Sequence, residues 1–242
     1  PYPGFSNVTI PKTLVNVSTP DLLLVIIDDA PLKTEERTIT ENLTHYFVNF
    51  NYTLGIHSIR ILERPPVFNI NTNLYYATIQ KAINSAQPTH KPLAYAGTHY
   101  ENVVVNKTVT LIGESKHNTT IDGSGTGTVI RVTANNVNIS GFTIKHSGNP
   151  ECGVLVDGSS GNNISHNIIR DNYYGIRLVN SSNNNLINNT MSGNEYNFGL
   201  CGTVETHFDN TIDESNTVDG KPVYYIKKAS NTLYDSSTNA GT

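Results

Sequence analysis

Cleaving a polysaccharide takes clustered carboxylates, commonly with basic residues or Ca²⁺ beside them. The second half of this chain holds Asp122, Asp157, Asp171, Asp209, Asp213 and Asp219. They fall in different segments and turn positions. No paired-aspartate or basic strand motif accompanies them, so they read as turn and surface residues. A transition-metal centre needs His, Cys or Met donors at ligand spacing. The histidines are His45, His57, His90, His99, His117, His146, His166 and His207, none close in sequence to another histidine or a cysteine. With one methionine, Met191, and two cysteines, the donor set is too thin for copper. No catalytic, cofactor-binding or metal-binding residue is assigned. No cofactor is expected, and the chain is not expected to be an enzyme.

Two other residue types carry information. There are 13 tyrosines, some of them in "DNYYG" and "VYYI". Aromatic platforms bind sugars, and tyrosines stacked on strands also pack as ladders; both readings stand. Asparagine is the outlier of the composition, with 32 residues of 242. Ten of them head an Asn-X-Ser/Thr triplet: Asn7, Asn16, Asn42, Asn51, Asn106, Asn118, Asn138, Asn163, Asn180 and Asn188. The serine and threonine content alone would give about six. The excess points to covalent N-glycans on an extracellular, cell-surface protein.

Charge and hydropathy remove other classes. A net charge of −4 offers no broad attraction to nucleic acid. No apolar run approaches the roughly 18 residues of a membrane-spanning helix; the longest, Leu22–Ile27, suits a buried strand. The chain begins at Pro1, which is expected of a processed mature protein or a fragment.

The elements that position these residues come from a repeat. "NNISHNIIRDNYYGIRLV" (162–179) aligns with "NNLINNTMSGNEYNFGLC" (184–201) at an offset of 22. Ile164 falls on Leu186, Asn167 on Asn189, Ile169 on Met191, Asn172 on Asn194, Tyr174 on Tyr196 and Leu178 on Leu200. Each unit holds short alternating pieces, such as "GIRL" and "NIIR", separated by Asn and Gly. Alternation over three or four residues means strands with one buried face. Asn and Gly tolerate the positive φ of tight corners. Units of this length with three short strands stack as a right-handed parallel β-helix, of about six coils from Leu93 to Tyr234, with "TVDGKPVYYIKKASNTLY" (217–234) as the last. In "YATIQKAINSAQP" (76–88), Ile79, Ala82, Ile83 and Ala86 share one helical face. Thr78 can N-cap this helix, and Pro88 ends it. Such a helix would cover the first coil, whose strands otherwise leave backbone unpaired.

The register bears on Cys152 and Cys201. Cys152 falls on Tyr174 and Tyr196, so Cys201 lies two coils away and about five residues along, some 16 Å further. A Cys152–Cys201 disulfide is disfavoured at that separation, although an extracellular location would favour one.

The segments "YATIQKAINSA", "YAGTHYENVVVNKTVTLIGE", "TTIDGSGTGTVIRVTANNVNISGFTI" and "NTVDGKPVYYIKK" resemble archaeal parallel β-helix (PbH1-repeat) proteins of the NosD-like type, which include methanogen surface-layer (S-layer) glycoproteins. The resemblance covers about residues 70–242. It implies a secreted, often glycosylated, surface-associated chain, and it implies further coils beyond the last one here, which would be left uncovered.

Residues 1–62 lack the period. "LLLVIID", "HYFVNFNYTL" and "HSIRIL" read as antiparallel strands of a small immunoglobulin-like β-sandwich domain over 20–64, with a linker over 65–74, signalled by "ERPPVFNINTN" (63–73), to the β-helix of 75–242. Residues 1–19 read as an extended segment able to donate a strand to another subunit. The expected function is structural: a homopolymer forming a surface layer, sheath or filament, by strand donation or head-to-tail β-helix contacts. The alternative is a β-helix protein that binds or degrades polysaccharide, which would show aligned tyrosines or neighbouring carboxylates on one face.

Overall fold

The computed structural model describes residues 3–14, 23–27, 30–31, 36–53, 58–63 and 65–227. Asn16, His57 and the end of the proposed last coil lie outside them. The chain divides into two compact units, 1–64 and 65–242.

Among the described residues the first unit has six strands: β1 (Pro3–Pro11), β2 (Leu23–Ile27), β3 (Ala30–Pro31), β4 (Arg37–Glu41), β5 (His45–Thr53) and β6 (Ile59–Glu63). They form two antiparallel three-stranded sheets, ordered β1-β5-β4 and β3-β2-β6. Leu23 and Val25 from one sheet meet Tyr46, Val48 and Phe50 from the other in a common core. The alternation in "HYFVNF" puts Tyr46, Val48 and Phe50 on the buried face. Residues 3–11 pair along their whole length with His45–Thr53 of the same chain, and Val8 and Ile10 pack on the core. Within one chain, the sandwich takes this segment as an edge strand of its own sheet.

The second unit is a parallel β-helix. It opens with β7 (Val67–Asn69) and β8 (Leu74–Tyr76), then α1 (Ile79–Ser85). The first coil is β9 (Pro92–Ala94), β10 (Gly97–Tyr100) and β11 (Val103–Val105), and the second β12 (Thr110–Gly113), β13 (Thr119–Asp122) and β14 (Ile130–Val132). Next come β15 (Asn138–Ser140), β16 (Thr143–Lys145) and β17 (Cys152–Asp157), then β18 (Asn163–Ser165), β19 (Ile168–Arg170) and β20 (Tyr174–Val179). The fifth coil is β21 (Asn185–Ile187), β22 (Thr190–Ser192) and β23 (Tyr196–Cys201), and β24 (Thr211–Ile212) and β25 (Thr217–Val218) begin a sixth. Three parallel sheets result, one per coil position.

The interior is a set of aliphatic columns. Leu111, Ile139, Ile164, Leu186 and Ile212 stack on the first sheet. Ile121, Ile144, Ile169, Met191 and Val218 stack on the second. On the third, Ile130, Val154, Ile176 and Phe198 stand beside Val132, Val156, Leu178 and Leu200. Each fully buried aliphatic contributes about 1.5–3 kcal/mol, so the columns carry the stack.

Asparagine does two jobs at the corners. Buried Asn162, Asn184 and Asn210 form one ladder, and Asn167, Asn189 and Asn216 another. In each, the amide nitrogen of one side chain donates to the side-chain oxygen one coil on, and that oxygen also accepts a backbone N–H. Backbone groups that a turn would leave unpaired are thereby satisfied inside the protein. The second job is conformational. His146 (φ +58°) and Asp171 (φ +57°) turn the corner after the second sheet, as His166 (φ +58°) and Asn188 (φ +52°) do after the first. Asn, Asp and His enter this region more readily than most residues, which accounts for His146 and His166 without any metal.

The ends of the stack differ. At the start, Thr78 caps α1 by accepting from Lys81 N, and the Glu101 carboxylate accepts from the N–H groups of Ile79 and Gln80 at 2.8 and 3.0 Å. The Gln80 amide bonds both Val104 N and Val104 O, replacing the strand that β11 lacks. Residues 65–74 are not a linker. β7 pairs antiparallel with β9 and β8 with β7, so the hairpin closes the first sheet. At the far end the last coil is also revised. Asp219 and Gly220 both have positive φ, and β26 (Lys221–Pro222) turns back antiparallel on β25. An Asp-Gly pair with both φ values positive is a two-residue hairpin turn; it reverses the chain where a coil would continue. Among the described residues the stack therefore holds five complete coils and two strands of a sixth. Among the described residues, nothing pairs with the outer edge of β23.

Candidate functional site

The carboxylates flagged in the sequence do not converge. Asp157 pairs with Arg131 at 2.5 Å, Asp171 with Arg170, and Asp209 with Lys227 at 3.4 Å. Asp213 accepts from Ser215 within its own turn. Asp122 is the most enclosed, at the end of β13, between Lys145 at 3.3 Å and His146 at 3.0 Å. Burial raises its pKa, but the Ser124 N–H, His146 and Lys145 outweigh it and hold the carboxyl below its usual value. It is an anchored anion, unsuited to giving or taking protons near neutral pH.

Both cysteines are free. Cys152 pairs in register with Tyr174, and Tyr174 with Tyr196, while Cys201 lies opposite Val179. Burial pushes the Cys152 thiol up to about 11, whereas Cys201 is exposed. The thiolate is the reactive form, so at pH 8 the raised value alone slows Cys152 about a hundredfold. Iodoacetamide at pH 8 is expected to modify one thiol in the folded protein, at Cys201, and two after denaturation; mass spectrometry reads the difference.

The triplet asparagines sort by accessibility. Asn7, Asn42, Asn51, Asn106, Asn118 and Asn180 are exposed, while Asn138, Asn163 and Asn188 are half-buried. Asn138 and Asn163 lie within paired strands of the first sheet, and Asn163 Oδ1 is enclosed without a partner. In material from the native source, glycopeptide mass spectrometry is expected to find glycan at Asn106, Asn118 or Asn180 and none at Asn138 or Asn163.

One outer face does gather functional side chains. On the third sheet Tyr174 and Tyr196 stack in register, with centroids 5.1 Å apart and planes at 27°. Tyr173 meets both edge-on, at 5.0 and 5.5 Å. Partial burial and the neighbouring phenols raise the Tyr173 hydroxyl above its usual pKa, so it stays neutral at physiological pH. The Arg177 guanidinium lies 4.7 Å from the Tyr174 ring centroid, a cation–π distance. The tyrosine pairing was visible in the 22-residue offset. Arg177 was missed, because outward positions of this sheet do not repeat: Val104, Arg131, Leu155, Arg177 and Gly199 share one column.

Comparison with known proteins adds the following. Similar solved structures include pectin methylesterase PemA from Erwinia chrysanthemi, with 14% identity and a TM-score of 0.40 over 51% of this chain and 53% of that one. Pectin methylesterase from Yersinia enterocolitica matches with 16% identity and a TM-score of 0.38, over 49% and 55%. The chain thus spans about half the length of these proteins. No curated protein matches it. A family profile described as "Periplasmic copper-binding protein (NosD)" matches residues 73–239.

The copper in that description can be tested on the donors present. Among the described residues, no three His, Cys, Asp or Glu side chains come together. Met191 and Cys152 are buried in or beside the core. His99 bonds the Tyr95 carbonyl, His146 bonds Asp122, and His207 accepts from Thr203 N. Copper needs imidazole or sulfur donors converging on one point, and these residues do not fit it. The coils, their ladders and the profile agree over well more than half the chain: it belongs to the NosD family.

Proposed function

We propose that this chain is a non-catalytic structural protein that works outside the cytoplasm, associating with copies of itself into a surface layer, sheath or filament. The observation that carries the reading is the contrast between the two ends of the β-helix. The first coil is covered by a hairpin and a helix. At the other end, the six-residue edge of β23 is bare among the described residues, and Tyr196, Val204, Phe208 and Ile226 there are exposed. Unpaired strand edges with apolar neighbours favour association. The excess of N-glycosylation triplets, the periplasmic description of the family, and the lack of a long apolar helix among the described residues agree with an exported chain. β1 pairs in its own sandwich and a hairpin and a helix cover the first coil, which favours the C-terminal end of the β-helix as the contact in this reading, over strand donation or head-to-tail stacking. Negative-stain microscopy and light scattering test it. Ordered assemblies that dissolve on Phe208→Lys support the reading, and monomers at every concentration sink it.

A second reading is supported by the Tyr173, Tyr174 and Tyr196 cluster. Aligned tyrosines on one face are what a polysaccharide-binding β-helix requires, and a protein of the cell exterior meets polysaccharide in its surroundings.

A further inference from the structure

Arg177 distinguishes the tyrosine face from an ordinary packing ladder. The other outward arginines of the β-helix are neutralised: Arg131 by Asp157 and Arg170 by Asp171. Arg177, on the same strand as Tyr174, has no carboxylate at ion-pair distance among the described residues. Its contact with the Tyr174 ring restricts the guanidinium, and among the described residues no hydrogen bond occupies its N–H donors. Tyr196 is 49% exposed and is the last ring of the column. Glu195, the residue before Tyr196, acts electrostatically on Tyr173 and is not at ion-pair distance from Arg177. Aromatic surface beside one preset, unpaired guanidinium is suited to a ring that carries a carboxylate.

We propose that Tyr173, Tyr174, Tyr196 and Arg177 form a binding site for an acidic polysaccharide, the tyrosines stacking on a sugar ring and Arg177 pairing with its uronic carboxylate. The proposal rests on the polysaccharide reading and names the class of polymer within it. Non-specific attraction does not explain such binding, because the chain is itself negative, at −4. No covalent step is involved.

The test is affinity electrophoresis of the whole chain through gels containing polygalacturonate, its fully methyl-esterified form, or neutral dextran. The wild type is expected to be retarded by polygalacturonate alone. Arg177→Gln and Tyr196→Ala are each expected to weaken binding on the order of tenfold, the loss of one charge-assisted or aromatic contact. Arg131→Gln removes the same charge from a paired arginine of the same sheet and is expected to change binding less than about twofold. Circular dichroism checks that each variant melts with the wild type, as outward substitutions should. Equal retardation by the methyl ester, or equal loss with Arg131→Gln, overturns the acidic assignment and leaves polysaccharide binding standing. No retardation by any polymer overturns both.

Discussion

Asn189→Ala is expected to lower the stability of the β-helix by about 3–5 kcal/mol and its melting temperature by about 10 °C. Asn189 is fully buried in the middle of its ladder. Its amide nitrogen donates to Ile164 O at 2.7 Å and Asn216 Oδ1 at 2.9 Å, and its oxygen accepts from the backbone and side-chain nitrogens of Asn167, both at 3.2 Å. Alanine strands these partners where water does not reach, and each buried group left unpaired costs about 1–3 kcal/mol. Asn189→Asp separates hydrogen bonding from shape. The carboxylate fits the same space, but an anionic oxygen now faces Ile164 O and Asn216 Oδ1. Burial without a cation raises the pKa of such a group in the folded state. The penalty is therefore largest above the folded value and fades as pH falls below the unfolded value of about 4. Thermal melts at pH 7 and pH 3.5 should show the gap between Asn189→Asp and wild type narrowing on acidification. Asn106→Asp, at an exposed position, should leave both melts unchanged. If Asn189→Ala melts with the wild type, the ladder is ornament and the aliphatic columns alone hold the stack.

The ladder also shows what the sequence could and could not reveal. An offset of 22 placed Asn167 over Asn189 and Ile164 over Leu186, and the strands pair in that register. Inward residues repeat because every coil must fill the same space, and corner residues repeat because every coil must make the same turn. Those two constraints made the coils and the helix cap legible. Outward residues face no such constraint, which is why Arg177 gave no signal. The N-terminal unit has no period, and its pairing of β1 with β5 joins residues some 40 apart; alternation identifies a strand but not its partner. The reversal at Asp219-Gly220 was legible in principle, since an Asp-Gly pair between strands is a hairpin signal. It was overridden by the expectation that the coils continue.

The spacing of the coils themselves predicts the other large effect. Gly113 and Gly141 occupy equivalent corner positions on neighbouring coils, one residue past the pair Ile112 and Ser140. A Cβ on Gly113 would stand 2.2 Å from the Gly141 carbonyl oxygen, and one on Gly141 would stand 2.3 Å from the Gly113 oxygen. Neither obstacle is the movable end of a side chain. Relief requires the two coils to part, yet strand hydrogen bonds hold them about 4.8 Å apart on either side of the corner. Phe142, buried next to Gly141, would lose packing as they part. Gly113→Ala is therefore expected to cost more than about 3 kcal/mol, in the range of severe overpacking. Gly158→Ala supplies the contrast. Gly158 has φ +61° with nothing within 4 Å of the added Cβ, so only the left-handed backbone opposes alanine, at about 1–2 kcal/mol. Urea unfolding of the two variants measures backbone conformation and coil crowding separately. Equal midpoints would mean that the stack yields at Gly113 as easily as an open turn does. A midpoint clearly lower for Gly113→Ala would mean that the coil spacing is rigid.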